Sequence, residues 1–530
     1  MTLEFKFISK IVGMLLFLLW IPSEHIYAQT KQKKASAKRA YQTTLTNFNA
    51  KGQQTVRFDN MGEALDAHDG EIAVFNGVYY LYGTSYGCGF EWGKKDAPFC
   101  GFKVYSSTDM VTWTDKGMLF DASTPIWQSR CNGSTYGCFR PHVVYNKSTR
   151  KYVLWINVYD NRVGFRVFTS NSPTGPFKEV AEPKLAVNSD SPIAGLNNGD
   201  HDTFVDVDGK GYIAYTDWRT RGTIVIEELT SDYLSGTGKH VKAVTAGNTE
   251  APSLFRRKNL YYVTYSDPNC GYCAGTGTSY KTAKSPLGPW SEGIKISDNS
   301  CGGQPSFVSP IELTSGYVYL YGSDLWNNAA KNEALANYYW APLRFREDGS
   351  IMPMICQEKV KLNLAGGSGR GAMKRKGLDH DAGDGGFIRH CDIQGDLWRS
   401  QSFVAGKDGV LSSVFITIFK TGYPNAGMTV ELYTADASGF PKGKALKSIS
   451  VPVEKVSWSP NQIKISPEVM IYKGRQYVMV LKSGSTAGCY GFAYRDEPAA
   501  KQGVASISTD AGNQYRAETG RTLKFHTVIR

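Results

Sequence analysis

The sequence lacks long apolar runs, which excludes a protein with several membrane spans. Its longest apolar run, residues 11–21, follows Lys6 and Lys10 and precedes a cleavage site at Ala28. We therefore predict a signal peptide over residues 1–28 and export to the periplasm or the medium, with no membrane span after signal removal. A permanent anchor is the alternative, although a span needs roughly 20 apolar residues. No cysteine follows the run, so a lipoprotein anchor is not indicated.

Leucine and alanine are modest in number for a chain of 530 residues, which argues against a helical bundle or coiled coil. The chain instead has 55 Gly, 31 Tyr, 25 Phe and 11 Trp, a composition that favours strands and tight turns. Hydrophobic residues make up 41% of the sequence, which excludes wholesale disorder. The composition predicts an all-β protein, and the length predicts more than one domain.

The ten cysteines do not show a metal-binding pattern. Cys270 and Cys273 form a CxxC, but zinc needs a second such pair or two histidines nearby, and a redox role needs a thioredoxin-like context. We interpret this pair as a loop staple. An even cysteine count in an exported chain indicates disulfides, with Cys88–Cys100 and Cys131–Cys138 as the favoured local pairs.

Acidic residues are outnumbered, with 48 Asp and Glu against 60 Lys and Arg and a formal net charge of +12. Much of this excess lies in residues 29–42, which we predict to be a basic disordered leader. Its basic residues are Lys31, Lys33, Lys34, Lys38 and Arg39. Because an exported chain rarely meets nucleic acid, we expect no nucleic-acid partner.

A strand–turn–strand pattern recurs five times within residues 43–363, and a second pair of strands follows each copy. Asn-Gly, Asp-Gly and Ser-Gly pairs stand where hairpin turns need positive φ. The spacing of roughly 50 to 75 residues is typical of four-stranded propeller blades with loop insertions. We predict a five-bladed β-propeller, with a long β-sandwich as the alternative. The copies start at Gly70, Arg140, Asp202, Ala251 and Pro305.

The strand pattern changes after a glycine-rich and basic linker predicted at residues 364–377. Alternating strands separated by turn clusters over residues 378–530 predict an antiparallel, jelly-roll-like β-sandwich. Its Trp398, Tyr423 and Trp458 are candidates for sugar binding, with packing in the protein interior as the alternative.

Three acids stand just before inner strands of different blades: Asp69, Asp200 and Glu250. Inner strands of a propeller begin at one end of its central channel, so we expect these side chains to meet there. Glycoside hydrolysis needs two carboxyl groups flanking one bond. One of them must stay protonated, through burial or a neighbouring anion that a third acid supplies. For each acid taken alone, a turn or N-cap role is the alternative.

Over residues 60–345 the chain resembles glycoside hydrolase family 43. The resemblance lies in Asp69 before Ile72, in Asp200 before the segment 204–209 (Phe-Val-Asp-Val-Asp-Gly), and in Glu250-Ala-Pro. It implies an inverting mechanism in which Asp69 is the general base, Glu250 the general acid and Asp200 the residue that raises and orients the acid.

Two segments resemble the exo-β-1,3-galactanase branch of that family: residues 67–70 (Ala-His-Asp-Gly) and the segment that starts at Gln304. That branch has Gly at the base position, uses a Gln, and carries Glu before Arg-Pro. This sequence keeps Asp69 and has Phe139 before Arg-Pro. Both departures fit related branches that release arabinofuranose or galactose from side chains.

The resemblance also suggests how the sugar and an ion are bound. Trp218 and Trp326 follow inner strands and are candidates for stacking on sugar rings, with core packing as the alternative. No cofactor is expected to be required, although some family members hold a structural calcium ion in the channel. Asp206 and Asp208 lack the glutamate of an EF-hand, so a hairpin turn is predicted there. The remaining sugar-binding candidates are His68, Arg140, His142, His201 and Gln304.

Taken together, the sequence predicts an exported inverting exo-glycosidase that removes galactose or arabinofuranose from arabinogalactan-like polysaccharide or oligosaccharide chains. We expect a monomer. The alternatives are a β-xylosidase-type activity and a non-catalytic carbohydrate-binding propeller. A sialidase would need an arginine cluster and a Tyr/Glu nucleophile, which the sequence does not place.

Overall fold

The computed structural model describes residues 40–94, 96–127, 131, 137–158, 164–187, 198–267, 275–326, 332–366, 378–381, 387–495 and 503–530. The predicted signal peptide, residues 29–39 of the leader, most of the predicted linker, and Cys270 with Cys273 lie outside these ranges. Among the described residues, no helix has the length and apolarity needed to cross a membrane.

Four blades are four-stranded antiparallel sheets whose strands follow chain order. The first contains β2 His68–Phe75, β3 Val78–Thr84, β4 Phe102–Ser107 and β5 Thr114–Met118. The second contains β6 Cys138–Asn146, β7 Lys151–Val158, β8 Phe165–Ser170 and β9 Lys178–Ala181. The third contains β10 Asn198–Val205, β11 Gly211–Asp217, β12 Thr223–Leu229 and β13 Gly236–Val241. The fourth contains β14 Glu250–Arg257, β15 Leu260–Asp267, β16 Gly277–Ala283 and β17 Ile294–Ser297.

The strands of the fifth blade are β1 Ala40–Thr46, β18 Gln304–Leu313, β19 Gly316–Leu325, β20 Asn337–Pro342 and β21 Lys359–Ala365. This blade joins both ends of the propeller segment, in the strand order β1-β21-β18-β19-β20. β1 starts within the predicted leader and β21 ends within the predicted linker, and the two pair along their whole length, from Ala40 opposite Ala365 to Thr46 opposite Lys359. The inner strands β2, β6, β10, β14 and β18 contact one another in cyclic order, with β18 against β2. The predicted five-bladed propeller is confirmed.

Every inner strand is irregular where it begins. Asp69 and Arg140, with φ of 56° each, lie in the left-handed region. A β-bulge re-aims side chains, and such backbone strain persists only where its surroundings fix it. Gly70 is required beside this bulge, because a Cβ there would lie 2.2 Å from the Tyr82 carbonyl oxygen. The pairing register shifts at His68/Glu71, Phe139/His142, Asn198/His201, Glu250/Ser253 and Pro305/Phe307.

Polar side chains at the ends of three of these bulges, or directly after them, form hydrogen bonds that link neighbouring blades. Each accepts a hydrogen bond from a backbone N–H of the next inner strand, which satisfies a group that would otherwise be buried without a partner. The three bonds are Val143 N to Glu71 Oε1 at 2.6 Å, Leu254 N to Asp202 Oδ2 at 2.6 Å, and Val308 N to Ser253 Oγ at 2.9 Å.

The aromatic excess of the composition fills the spaces between the blades. Trp113 and Trp340 pack edge-on against each other at 5.9 Å, and both are at most 1% exposed. Trp155 is fully buried between the second and third blades. Large aromatic side chains bury much apolar area each, so these contacts stabilise the ring of blades.

The predicted sandwich is also confirmed, as two antiparallel sheets of eight and six strands. Ile416 and Phe525 of the larger sheet pack against Leu432 and Met479 of the smaller one. The larger sheet contains β22 Leu378–Asp381, β23 Phe387–Ile393, β25 Gly409–Thr421, β28 Asn461–Ile465, β29 Val469–Ile471, β31 Cys489–Arg495, β34 Thr522–Leu523 and β35 Phe525–Ile529. The smaller contains β24 Trp398–Val404, β26 Met428–Ala435, β27 Pro441–Val451, β30 Gln476–Ser483, β32 Ala505–Ser508 and β33 Arg516–Ala517.

Both predicted local disulfides are confirmed, Cys88–Cys100 and Cys131–Cys138. Two further bridges, Cys301–Cys356 and Cys391–Cys489, join residues far apart in the sequence. The predicted hairpin turn between β10 and β11 is confirmed as well, since Asp206 N donates to the Lys210 carbonyl oxygen at 2.9 Å.

Candidate active site

A cavity that opens to solvent lies where the inner strands begin. It is lined by the three predicted acids, Asp69 of the first blade, Asp200 of the third and Glu250 of the fourth. Arg140 of the second blade and Gln304 of the fifth also line it. Each of the five blades therefore contributes one residue from the bulged start of its inner strand.

Asp69 lies against the wall of the first blade and is 6% exposed. Its Oδ1 accepts from Thr84 Oγ1 at 2.7 Å, and its Oδ2 accepts from the Tyr86 hydroxyl at 2.7 Å. The Asp69 backbone N–H donates to Asp324 Oδ2 at 3.0 Å. The bonds from Thr84 and Tyr86 fix the carboxyl group, and Oδ2 keeps a lone pair for a further donor.

Arg140 of the second blade contacts the first, third and fifth blades. Its Nη2 lies 3.0 Å from Asp200 Oδ2, and its Nη1 donates to the Pro305 carbonyl oxygen at 3.2 Å. Its own backbone N–H lies 3.3 Å from Asp69 Oδ1. A planar guanidinium suits this task, because it offers donors in several fixed directions and stays charged.

Glu250 is held from the fifth blade. Gln304 Nε2 donates to Glu250 Oε1 at 2.7 Å, and Gln304 Oε1 accepts from Trp326 Nε1 at 3.2 Å. The Gln304 amide is therefore engaged at both ends. This chain of bonds sets the orientation of the Glu250 carboxyl group.

The cavity raises the pKa of two of its acids, Asp69 and Glu250. Burial raises the pKa of Asp69 to about 6, against the opposing effect of the Arg140 charge. Burial and then the neighbouring Asp200 carboxylate raise the pKa of Glu250 to about 7. Between these values one carboxyl group is ionised while the other keeps its proton. That is the condition for a base and an acid to work together.

The three histidines predicted to bind sugar lie beneath the cavity and do not line it. His68 is 0% exposed and stacks on Tyr338 at 5.1 Å. His142 is 0% exposed, with Nδ1 3.0 Å from Asp202 Oδ1, and His201 is 1% exposed. Side chains so deeply buried cannot touch a sugar in this structure. The prediction that these three histidines contact the sugar is therefore corrected: they pack behind the residues that line the cavity.

A channel cluster of Glu71, His142 and Asp202 brings three potential metal-ligand atoms within 4.8 Å of one another. One oxygen of each carboxylate already accepts a backbone N–H. The cluster thus offers two oxygens and one nitrogen, whereas calcium takes about six to eight oxygen ligands. The donor set fits calcium poorly, and the channel calcium stays a prediction.

Trp218 and Trp326, the two stacking candidates from the sequence, line the cavity. Sequence reasoning missed the other side chains of its wall. Four of the further lining side chains come from loops beyond the inner strands, one comes from β6 and one from β7, and none of them carries a motif. An aromatic run around Cys88 and the Phe before Arg140-Pro were the available signals. These further residues are Tyr86, Phe90, Trp92, Phe139, Asn157 and Glu333.

Comparison with known proteins gives one family and several relatives. The profile described as "Glycosyl hydrolases family 43" matches residues 58–310. A beta-D-galactofuranosidase of Aspergillus niger is 25% identical over 309 residues, which cover 57% of this chain and 84% of that protein. An arabinoxylan arabinofuranohydrolase of Bacillus subtilis is 27% identical over 295 residues, covering 48% of this chain and 54% of that protein.

Among solved structures, an exo-β-1,3-galactanase from Clostridium thermocellum is similar with a TM-score of 0.51 and 25% identity. The alignment covers 66% of this chain and 73% of that chain.

Proposed function

We propose that the chain is a member of glycosyl hydrolase family 43, whose profile matches residues 58–310, and that it is an exported, exo-acting, inverting glycosidase that removes terminal galactose or arabinofuranose from arabinogalactan-like chains. The observation that carries the proposal is the meeting of Asp69, Asp200 and Glu250, from three blades, in one cavity. All five blades wall this cavity, which suits a chain end better than a chain passing through.

Glu250 is the general acid of this reaction. Its pKa of about 7 keeps it protonated in weakly acidic to neutral solution. It gives that proton to the glycosidic oxygen as the bond from the anomeric carbon to this oxygen breaks. Asp200 supports the acid through its negative charge, which favours the protonated form of Glu250.

Asp69 is the general base. Its carboxylate takes a proton from a water molecule while the water oxygen bonds to the anomeric carbon from the opposite face. The products are an alcohol and a sugar of inverted anomeric configuration. Gln304 is less suited to this task, because its amide is already engaged by Glu250 and Trp326. An inverting pair is expected to stand about 6.5–9.5 Å apart.

A substrate screen tests the proposal. Aryl α-L-arabinofuranosides, β-D-galactopyranosides, β-D-galactofuranosides and β-D-xylosides should be compared first, followed by arabinogalactan. We expect turnover of an arabinofuranoside or a galactoside, release of single sugars from the polymer, and an inverted product anomer by NMR. Glu250→Gln and Asp69→Asn should each abolish turnover of the natural substrate and keep the wild-type circular dichroism. Absence of turnover on every glycoside, or near-normal activity of either variant, would overturn the proposal.

Export is tested separately. The full chain should be expressed in a Gram-negative host and the protein recovered from the periplasm or medium sequenced from its N-terminus. We expect the mature chain to begin at Gln29, after Ala28. An uncleaved chain retained in the membrane fraction would instead support the permanent anchor.

A further inference from the structure

Two loops form one side of the cavity, and both contact the C-terminal sandwich. The first-blade loop, residues 85–101 between β3 and β4 with 95 outside the described part, supplies Tyr86, Phe90 and Trp92. The fifth-blade loop, residues 326–336 between β19 and β20 with 327–331 outside the described part, supplies Trp326 and Glu333.

Asn332 attaches the fifth-blade loop to the sandwich. Its side chain is nearly inaccessible, at 2% exposed for the residue. Its Nδ2 lies 3.1 Å from each of three acceptors on the sandwich. Such a buried amide is costly to leave without its acceptors, so the bonds resist movement of the loop. The acceptors are the Lys420 carbonyl oxygen, Thr421 Oγ1 and the Trp458 carbonyl oxygen.

The first-blade loop is attached at neighbouring points. The Gly87 carbonyl oxygen accepts from Ser457 Oγ at 2.7 Å and from Trp458 N at 3.2 Å. The indole of Trp458 packs into the cluster that contains Tyr86 and Phe90. Gly89 lets it approach, because a Cβ there would lie 2.8 Å from the ring. Trp458, a sugar-binding candidate from the sequence, is thus used for packing against the propeller.

The two loops also hold each other at Trp92. The Trp92 backbone N–H donates to Glu333 Oε1 at 3.0 Å. Its indole packs edge-on against Phe139, 5.5 Å between ring centres. At 40% exposed it is the most exposed aromatic residue of the described cavity lining, and so marks the mouth.

We propose that Trp92 is the stacking platform for the sugar on the leaving-group side, and that the sandwich positions it through Asn332 and Glu333. The inference rests on the proposed function, in which the terminal sugar binds beside the three acids. The next sugar of the chain then lies at the mouth of the cavity. An indole offers a broad apolar face to a sugar ring. Holding that face in place beforehand reduces the ordering cost of binding.

Steady-state kinetics on an oligosaccharide test the platform. Trp92→Ala should raise KM about tenfold, with kcat nearly unchanged, because a lost ground-state contact appears in KM. On the glycosyl fluoride of the same sugar, whose leaving group cannot stack, Trp92→Ala should behave as wild type. Equal losses on both substrates would mean that Trp92 does not act through the sugar on the leaving-group side, which would overturn the platform.

Matched variants test the positioning. Glu333→Leu and Asn332→Ala should raise KM for the oligosaccharide in the same direction as Trp92→Ala. Glu333→Gln should stay near wild type, because it keeps Oε1 as acceptor for Trp92 N. Lys524→Met is the control, since Lys524 lies over the propeller's Phe58 at 4.5 Å, at another contact between the sandwich and the propeller.

Three outcomes would overturn the positioning role. They are an unchanged KM in both loop variants, a Glu333→Gln variant as impaired as Glu333→Leu, and an equal loss in the Lys524 control. Calorimetric titration of the oligosaccharide into Glu250→Gln, with and without Trp92→Ala, measures the platform even where turnover fails. A wild type that turns over no glycoside refutes the proposed function, whereas unchanged affinity on loss of Trp92 refutes the platform alone.

Discussion

At the scale of single residues, the two raised carboxyl pKa values predict the pH range of the proposed activity. As the proposed base, Asp69 must be ionised, so kcat/KM should rise as pH passes about 6. As the proposed acid, Glu250 must be protonated, so kcat/KM should fall as pH passes about 7. We expect a narrow bell-shaped profile with its maximum between these values, measured as kcat/KM against pH.

The alkaline limb of this profile can be assigned with Glu250→Gln. A glycosyl fluoride needs no acid, so this variant should hydrolyse it and lose the fall above about pH 7, while the rise near pH 6 remains. An alkaline limb that persists in Glu250→Gln would mean that a group other than Glu250 causes the fall in kcat/KM.

The sequence predicted that the three acids meet because each stands at the start of an inner strand whose pattern is readable. Trp92 and Glu333 could not be found this way. Their placement depends on bonds between loops of the first and fifth blades, and on a sandwich that begins far along the chain. The buried histidines show the converse limit: His142 follows Arg140 by two residues, but the bulge turns it below the wall.

At the scale of elements, the hydrogen bonds between inner strands of neighbouring blades are expected to stabilise the propeller, and single substitutions can test this. Glu71→Leu should lower the free energy of unfolding by about 1–3 kcal/mol, because Val143 N would be buried without an acceptor. Glu71→Gln keeps an oxygen acceptor and should lose less. Denaturant unfolding followed by tryptophan fluorescence measures both.

The comparison between these two variants decides the point. Equal losses in Glu71→Leu and Glu71→Gln would mean that the Glu71 charge beside His142, and not the bond to Val143, stabilises the contact. His142 Nδ1 lies 3.8 Å from Glu71 Oε2, so this outcome has a defined structural source.

The blades themselves were predictable because Gly-containing turns and aromatic strands repeat locally. The element ends were less so. The first three residues of β1, 40–42, fall in the predicted leader because nothing near Ala40 indicates its partner, β21, which lies more than 300 residues away. Pairing at such separation leaves no local mark in a strand as polar as Ala40–Thr46.

At the scale of the whole molecule, we expect β1 to stabilise the propeller, because it pairs the start of the propeller segment with its end. It pairs with β21 over seven residues, and Leu45 is 0% exposed in the shared core. A shortened chain starting at Ala40 should match the mature protein in thermal midpoint and activity. One starting at Asn47 loses the strand and should be destabilised by at least about 2 kcal/mol, the scale of burying one leucine. Differential scanning calorimetry of the two chains tests this, and equal midpoints would show that the ring of blades closes without β1.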